Sequence, residues 1–280
     1  MNIKITADST CDLSPDTIKS KNITIFPLRI VMNNSEYEDG VSITPSDIFS
    51  HVASGGELGT KAAVSIAKYR EAFEQYSKEY DAVIHVNIGS LFSSCHQNAL
   101  IAAEGLDNVY CIDSENLSTG QGLIVLEACD RAENCSNISV LCDELRSLCS
   151  KVETSFILSK LEYIVKGGRC SSVAALGANI LHLKPCIEVI EGKMKVVKKY
   201  RGSFSKCLAQ YITDRLEDRD DIDYKRLFVT RTPIDAGDLN MVEETVSSLS
   251  HFREVHYTKA GCTISFHCGP GALGVLFIRK

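Results

Sequence analysis

Four loops in the first half of the sequence are rich in hydroxyl side chains and contain few paired acids and bases. They lie at residues 8–10, 59–65, 89–94 and 114–122. A serine hydroxyl beside the free amides of a helix N-terminus can donate a hydrogen bond to an anion, which suits binding of a carboxylate or phosphate better than bond cleavage. Hydroxyl-rich turns also cap helices, so capping is the alternative role for each of these serines.

The signatures of several enzyme classes are missing from the sequence. It contains no Gly-x-Ser-x-Gly elbow, no Walker A loop and no His-Glu-x-x-His helix. Two glycine-dense segments occur in the second half, at residues 166–169 and 267–274. Glycine allows close backbone approach, and Arg169 or His267 beside these glycines could reach an anion. Both segments could equally be structural turns.

Composition and charge place the chain among ordinary soluble globular proteins. Its 280 residues are 44% hydrophobic and 24% charged, with a mean hydropathy of -0.01. The net charge of -6 gives no global attraction to phosphate backbones, so we predict no nucleic-acid partner. No apolar stretch is long enough for a signal-peptide core or a membrane helix, so we expect a cytoplasmic protein without an integral membrane segment.

The twelve cysteines could indicate a secreted disulfide framework, but their spacing argues against it. No Cys-x-x-Cys pair occurs, so we predict no metal site. Cys135, Cys142 and Cys149 recur every seven residues among leucine and isoleucine, which favours small buried side chains on one helical stripe. A metal or redox site is the alternative interpretation.

The elements that must position the hydroxyl-rich loops alternate between strand and helix, which is typical of a parallel sheet flanked by helices. Ser14, Thr44 and Ser65 each stand where a helix N-cap is expected, and proline follows the first two. The predicted strands of this half lie at residues 3–7, 81–88 and 108–113.

The alternation becomes less regular near Thr154, and we place a domain boundary between residues 153 and 154. The sequence around Glu191-Gly192-Lys193 predicts a β-hairpin, so antiparallel pairing enters in the second domain. The predicted fold class is therefore α/β with two domains: residues 1–153 form a mostly parallel sheet flanked by helices, and residues 154–280 form a smaller α/β domain. Further elements of the second domain are helices at 204–216 and 239–249 and strands at 227–231 and 273–278.

Six segments, in the expected order, resemble the DegV family across nearly the whole chain. They are Thr-Ala-Asp-Ser-Thr-Cys-Asp-Leu at residues 6–13, Asp-Gly-Val at 39–41 with Thr-Pro at 44–45, Ser-Leu-Phe-Ser-Ser-Cys-His-Gln-Asn-Ala at 90–99, Ile-Asp-Ser at 112–114 with Ser-Thr-Gly-Gln-Gly at 118–122, Leu-Glu-Tyr-Ile-Val-Lys-Gly-Gly-Arg at 161–169, and residues 267–274. The resemblance implies a DegV-like fold and a fatty-acid-binding subunit of bacterial fatty acid kinase. In such proteins an acyl chain is buried in one of two α/β domains, with its carboxyl group at the junction, and a separate kinase phosphorylates that group. We expect residues 154–280 to house the acyl chain.

The resemblance also implies which residues meet the lipid. Ser93 matches the serine that donates to the fatty-acid carboxylate, and His267 begins the matching His-x-Gly-Pro-Gly segment near the head group. Arg169 fits the glycine-arginine motif, either as a structural ion-pair partner or as a charge near the carboxyl group.

Two head-group loops depart from the family pattern. The family's Thr-Ser-x-Pro-Ser loop corresponds to the stretch ending at Ser65, which reads Lys-Ala-Ala-Val-Ser here and lacks the proline. Thr60, displaced by one position, is the candidate second donor, and Lys61 could supply charge instead. The family's Leu-Ser-Gly-Thr becomes Phe-Ser-Ser-Cys at residues 92–95, which loses a glycine and a hydroxyl.

The densest basic stretch contains Lys193, Lys195, Lys198, Lys199, Arg201 and Lys206. One interpretation is a solvated hairpin face. The other is a docking surface for an acidic kinase partner, formed by Arg201, Lys198 and Lys199. Arg201 falls where related binding subunits carry an arginine linked to kinase engagement.

The leading hypothesis is a lipid-binding protein that presents a bound fatty-acid carboxyl group to a separate ATP-dependent kinase and retains the acyl phosphate. It would have no catalytic residues of its own, no metal, and no cofactor apart from the long-chain fatty acid it carries as ligand. The main alternative is a small-molecule hydrolase or acyltransferase with Ser93 as nucleophile, His267 as base and Asp113 or Asp8 as orienter. A regulatory or structural α/β protein is the third possibility.

Overall fold

The chain divides into two compact units. A computed structural model describes residues 1–174, 183–249 and 251–280. Unit 1 comprises Met1–Val152 and Gly261–Thr263, and unit 2 comprises Glu153–Ala260 and Ile264–Lys280. The boundary that the sequence predicts lies between residues 153 and 154, and no sequence signal indicates that a segment more than a hundred residues later belongs with the first unit.

Unit 1 contains seven strands and six helices among its described elements. The strands are β1 (Ile3–Asp8), β2 (Thr24–Phe26), β3 (Arg29–Met32), β4 (Ser35–Glu38), β5 (Thr60–Ala62), β6 (Ala82–Asn87) and β7 (Val109–Asp113). The helices are α1 (Pro15–Ser20), α2 (Pro45–Ala53), α3 (Ile66–Glu79), α4 (Cys95–Ala103), α5 (Thr119–Ala132) and α6 (Ile138–Cys149), and a single 3-10 turn covers Ser9–Cys11.

A four-stranded parallel sheet forms the centre of unit 1, in the order β2-β1-β6-β7. Every residue of β6 is buried, as expected for a strand covered on both faces. The three predicted helix caps are confirmed: Ser14, Thr44 and Ser65 each accept a hydrogen bond from a backbone amide three residues later. The parallel sheet flanked by helices is therefore as the sequence predicted.

A second sheet in unit 1 was not predicted. It has three antiparallel strands in the order β4-β3-β5, so antiparallel pairing is not confined to the second half of the chain. Its strands are only three or four residues long and β4 is largely exposed, so they carry little hydrophobic periodicity. The available signal was Asn33-Asn34, whose φ angles of 52° and 60° suit a tight hairpin turn.

The remaining elements build unit 2. Its strands are β8 (Val152–Leu158), β9 (Leu183–Ile190), β10 (Lys193–Arg201), β11 (Ile222–Arg231), β12 (Glu254–Lys259) and β13 (Ala272–Arg279). The helices are α7 (Glu162–Gly167), α8 (Ser171–Ala174), α9 (Phe204–Leu216), α10 (Ala236–Leu249) and α11 (Cys262–Cys268), and the first two residues of α11 belong to unit 1. The strands form one mixed sheet, β10-β9-β8-β13-β11-β12. The predicted hairpin of β9 and β10 is confirmed, and β8–β9 and β11–β13 are also antiparallel.

The cysteines are mainly core residues. Eleven of the twelve are buried, including Cys142 and Cys149 on the inward face of α6. Cys135 precedes that helix and is partly exposed, so the predicted helical stripe is shorter than its seven-residue spacing suggested. Within the described residues, no group of three or more histidine, cysteine or acidic side chains is placed to hold a metal ion. Over the same residues, no helix combines the length and the apolar character needed to cross a membrane.

Candidate functional site

Ser93 lies in the turn between β6 and α4 and is half-buried. Its Oγ accepts a hydrogen bond from the backbone amide of Cys95 at 3.3 Å and donates to Cys95 Sγ at 3.2 Å. The side chain of Ser94, at the N-cap position of α4, makes no capping hydrogen bond. Ser93 therefore satisfies one of the free amides at the start of α4, which is the capping role that sequence analysis held open beside the binding role.

A buried polar network lies at the carboxyl end of β1 and β6, next to this turn. Asp8 accepts hydrogen bonds from the Tyr69 hydroxyl and from Asn87 Nδ2, the latter at 3.2 Å. His85 Nε2 lies 3.3 Å from Asp8 Oδ1 and 2.8 Å from Asn87 Nδ2, and His85 Nδ1 lies 2.8 Å from the Thr6 hydroxyl. All five side chains are fully buried. Asp8 is thus buried inside unit 1, where its carboxylate accepts hydrogen bonds from neighbouring side chains. These contacts give no support to the role of Asp8 as orienter in a hydrolase.

Cys95 connects the Ser93 turn to this network. The Cys95 thiol is completely buried and lies close to the Tyr69 hydroxyl and to the backbone of Val64. Burial, and then the charge of Asp8, raises the pKa of the Cys95 thiol to about 12. Cys95 is therefore a neutral thiol at physiological pH and not a thiolate nucleophile.

The second hydroxyl-rich loop meets the first turn of α4 through its last residues. Asn98 Nδ2 donates to the carbonyl of Val64 at 2.8 Å, and Ser65, the next residue, accepts from the amide of Lys68 at 3.3 Å. Ser65 therefore directly follows Val64, the residue whose backbone lies close to the Cys95 thiol. Ser65 itself is the N-cap of α3.

Thr60 and Lys61 lie on β5, so the stretch predicted as a loop is in part a strand. Thr60 is exposed and pairs with Val31, and Lys61 pairs with Ile30. The reason for the preceding glycine is steric, because a Cβ at Gly59 would lie 2.0 Å from the Val31 carbonyl oxygen. The structure assigns Thr60 to the start of an edge strand, and its role as a second donor remains a prediction.

Asp113 is the last residue of β7 in the parallel sheet. Asp113 Oδ1 accepts hydrogen bonds from the backbone amides of Ser90 at 3.0 Å and Glu115 at 2.9 Å. Asp113 therefore fixes the backbone of two hydroxyl-rich loops. This is a structural role, and it differs from the orienter role that the hydrolase alternative gives to Asp113.

Two aspartates from the segments that resemble the family hold the backbone at the start of α11. Asp39 Oδ1 accepts from the Cys262 amide at 2.8 Å, and Asp12 accepts from the Gly261 amide at 2.8 Å and from the Ser118 hydroxyl at 2.5 Å. Burial raises the pKa of Asp12 to about 8, with a further contribution from the charge of Asp39. These aspartates are structural acceptors that sequence analysis left without a role.

In unit 2, the two glycine-dense segments pack against each other. His267 lies in the last turn of α11, which corrects the expectation that it opens a glycine-rich loop; the loop starts after Cys268. A Cβ at Gly167 would lie 2.1 Å from His267 Nδ1, and a Cβ at Gly269 would lie 2.4 Å from the Tyr163 ring. The glycines are thus required by close packing of side chains against the backbone.

Ser159 and Arg169 flank this packed region. The Ser159 amide donates to the Gly271 carbonyl at 2.7 Å, and its hydroxyl donates to the Pro270 carbonyl at 3.2 Å. Arg169 is exposed, and its Nη1 lies 3.5 Å from the Gly167 carbonyl. Arg169 follows the glycine pair directly in the chain, and neither of its two predicted roles is decided by these contacts.

A partly open cavity of about 480 Å³ lies beside α7. Its volume falls in the range of roughly 300–1,000 Å³ that small-molecule sites occupy. Three of its lining residues are aliphatic, and the full set is Ser159, Lys160, Leu161, Glu162, Val165, Lys166 and Leu183. Four of these residues lie in the family-like segment 161–169, but the sequence does not assign them to a cavity, because aliphatic residues that line a cavity have the same pattern as core residues.

The basic stretch lies largely on β10, an edge strand of the mixed sheet. Lys198, Lys199 and Arg201 are all exposed, and Lys198 forms an ion pair with Asp214 at 2.5 Å. Arg201 pairs directly with Leu183 on β9, and directly paired residues of antiparallel strands share a sheet face. Arg201 and Leu183 therefore lie on the same face of the sheet, and Leu183 lines the cavity.

Comparison with known proteins agrees with the fold and the motifs. A family model described as uncharacterised proteins of the DegV family matches residues 2–280. A DegV domain-containing protein of Caldanaerobacter subterraneus is 30% identical over 281 residues, which cover 99% of each chain.

Two solved structures are similar over the full length of both chains. A DegV family protein from Thermus thermophilus, described as showing fatty acid binding, is 26% identical with a TM-score of 0.90. DegV from Bacillus subtilis, described as a fatty acid binding protein, is 24% identical with a TM-score of 0.85, and this likeness supports the fold. The order of the motifs, the two-unit architecture and the match over nearly every residue identify this chain as a member of the DegV family.

Proposed function

We propose that this protein binds a long-chain fatty acid and presents its carboxyl group to a separate ATP-dependent kinase, then retains the acyl phosphate. The single observation that carries the proposal is the cavity of about 480 Å³ with aliphatic walls in unit 2 of a chain that is 26% identical to a fatty-acid-binding DegV protein. In this proposal unit 2 houses the acyl chain. An ATP-dependent partner implies a cytoplasmic location.

The energy of binding would come mainly from the hydrocarbon. Burial contributes ~0.8 kcal/mol per methylene, so a chain of about sixteen carbons gains more than ~10 kcal/mol before entropy and ordering losses. One charge-assisted hydrogen bond contributes ~1.5 to 3 kcal/mol. The acyl chain would therefore set the affinity, while Ser93 and the other polar groups would set the orientation of the carboxyl group.

The head-group roles are proposals for named side chains. Within unit 1, Ser93 would donate to the carboxylate, and Ser65 at the N-cap of α3 and Thr60 on β5 would provide further hydroxyls. For His267 and Arg169, which belong to unit 2, lipid contact is proposed from the family motifs alone. Ser93 is supported by its position in a motif shared with the family and by a hydroxyl whose proton is directed to Cys95 Sγ, a weak acceptor.

The hydrolase alternative has weaker support. A serine nucleophile needs an adjacent base to take its proton, but the Ser93 proton points to the neutral thiol of Cys95. The oxygens of Asp8 and Asp113 accept hydrogen bonds from groups inside unit 1. A substrate-presenting subunit without its own catalytic residues fits these contacts better.

The first experiment is native mass spectrometry and organic extraction of freshly purified protein. We expect one fatty-acid molecule per chain and its recovery as the free acid. A protein that carries no lipid and takes up none when fatty acid is added would contradict the proposal. A fluorophosphonate probe that labels Ser93 would favour the hydrolase instead.

The partner surface is tested by converting Arg201 to alanine. Since Arg201 is exposed on edge strand β10, we expect unchanged fatty-acid affinity and a lower rate of phosphorylation by the cognate kinase with ATP. Lys206→Ala, elsewhere in the basic stretch, is the matched control for loss of one positive charge. Unchanged phosphorylation of Arg201→Ala would remove the docking role.

A further inference from the structure

The Ser93 hydroxyl has a defined direction. Its oxygen receives the backbone amide of Cys95 at 3.3 Å, and its proton points to Cys95 Sγ at 3.2 Å. A thioether or thiol sulfur is a weak acceptor compared with an oxygen. The amide therefore holds the oxygen of Ser93 firmly, while the proton of the same hydroxyl rests on a partner from which it is easily withdrawn.

The thiol lies among buried polar groups. Cys95 is fully buried close to the Tyr69 hydroxyl, which donates to the Asp8 carboxylate. Tyr69 and Asp8 are also fully buried. The sulfur that receives the Ser93 proton is therefore enclosed within unit 1, where packing fixes its position.

We propose that Cys95 is a positioning residue that presets the Ser93 hydroxyl as a donor to an anionic ligand oxygen. The inference rests on the proposed function, in which that oxygen belongs to a fatty-acid carboxylate. A carboxylate is a much stronger acceptor than sulfur, so the Ser93 proton turns from Cys95 Sγ to the ligand while the Cys95 amide continues to hold Ser93 Oγ. No covalent bond forms or breaks in this step.

The arrangement predicts that the protein selects ligands by the charge of the head group as well as by the hydrocarbon chain. A fatty-acid methyl ester carries the same hydrocarbon as the acid but offers only a neutral acceptor, and hydrogen bonds to neutral acceptors are roughly half as strong. The ratio of acid affinity to ester affinity therefore measures how well Ser93 is preset. A residue that matters only for the stability of unit 1 would change both affinities together and leave their ratio unaltered.

The test compares Cys95→Ala with a matched cysteine variant. The full-length protein, freed of lipid, is titrated with a sixteen-carbon fatty acid and with its methyl ester. We expect the acid-over-ester ratio to fall about fivefold in Cys95→Ala, which corresponds to one oriented hydrogen bond. Cys142→Ala, at an equally buried cysteine on α6, should keep the wild-type ratio.

A double-mutant cycle isolates the link to Ser93. In a Ser93→Ala background there is no hydroxyl to preset, so Cys95→Ala should cause no further change in the ratio. If Cys95→Ala does not fold, Cys95→Val fills the space of the thiol without an acceptor and should give the same fall.

Two results would overturn the inference. The first is an acid-over-ester ratio in the Cys95 variants equal to that of wild type. The second is a double mutant in which the effects of Cys95→Ala and Ser93→Ala on this ratio add in full. Failure of the wild-type protein to bind either the acid or the ester is a different result, because it overturns the proposed function together with the inference.

Discussion

Ser93 in unit 1 and His267 in unit 2 both lie in motifs shared with the family, but their surroundings differ. Ser93 is held by hydrogen bonds, and behind it lies a buried network of Asp8, Tyr69 and His85. His267 is closely packed, because its imidazole lies on the backbone of Gly167 where no side chain fits. Polar contacts of unit 1 such as those around Ser93 are therefore directional and respond to charge and pH, whereas the contact between His267 and Gly167 is one of close packing and responds to volume.

The largest expected effect comes from the pH dependence of the polar side of this comparison. Unfolded Asp12 ionises near its ordinary pKa of 3.8, whereas folded Asp12 keeps its proton up to about pH 8. The folded state thus binds one more proton between these values, and its stability falls as the pH rises from about 4 to 8. Asp12→Asn should abolish this loss, so that the fall in unfolding free energy between pH 5 and pH 9 is smaller in the variant than in wild type by about 4 kcal/mol.

Urea denaturation at pH 5 and pH 9 measures this prediction. Asparagine retains an acceptor for the Gly261 amide and tolerates the φ of 50° at this position, so the variant should fold. Asp235→Asn, at an exposed residue, is the control. An equal loss of stability with pH in wild type and Asp12→Asn would show that Asp12 does not retain its proton.

Gly167→Ala tests the packing side. The added methyl would lie 2.1 Å from His267 Nδ1, and we expect a loss of about 2 to 3 kcal/mol in unfolding free energy together with weaker fatty-acid binding. Gly237→Ala, within α10 and with nothing close to the added methyl, should instead leave stability equal or raise it by about 0.5–1 kcal/mol. Equal stabilities of the two variants would show that His267 is not fixed by Gly167.

A smaller effect is expected from Tyr69→Phe. The change removes the hydroxyl that donates to Asp8, and a buried acceptor that loses one of several partners costs about 1 to 2 kcal/mol. Tyr257→Phe, at a residue that is 45% exposed, should be neutral in the same denaturation experiment. If Tyr69→Phe were as harmless as Tyr257→Phe, the network behind Ser93 would contribute little to unit 1.

Local signals made the regular elements predictable. Ser14 and Thr44 with their following prolines, Ser65, and the Glu191-Gly192 turn each set the end of an element by chemistry within a few residues. The β4-β3-β5 sheet escaped prediction because strands of three or four residues show almost no period, and their stability comes from pairing with distant segments.

The candidate site was only partly predictable for the same reason. Ser93, His267, Ser65 and Arg169 could be selected from motifs, but the partners that orient them come from other parts of the chain. Cys95 could be noticed as a departure from the family pattern, yet its position close to Tyr69 depends on how α3 packs beside α4. The cavity is formed by residues separated by more than twenty positions.

The most direct test of the account is a calorimetric titration of lipid-free protein with a sixteen-carbon fatty acid, for wild type and for Ser93→Ala. The account predicts saturable binding of one molecule per chain to wild type, and affinity about tenfold lower for Ser93→Ala because one charge-assisted hydrogen bond is lost. No saturable binding to the wild-type protein, under conditions in which it is folded, would contradict the claim that this chain carries a fatty acid.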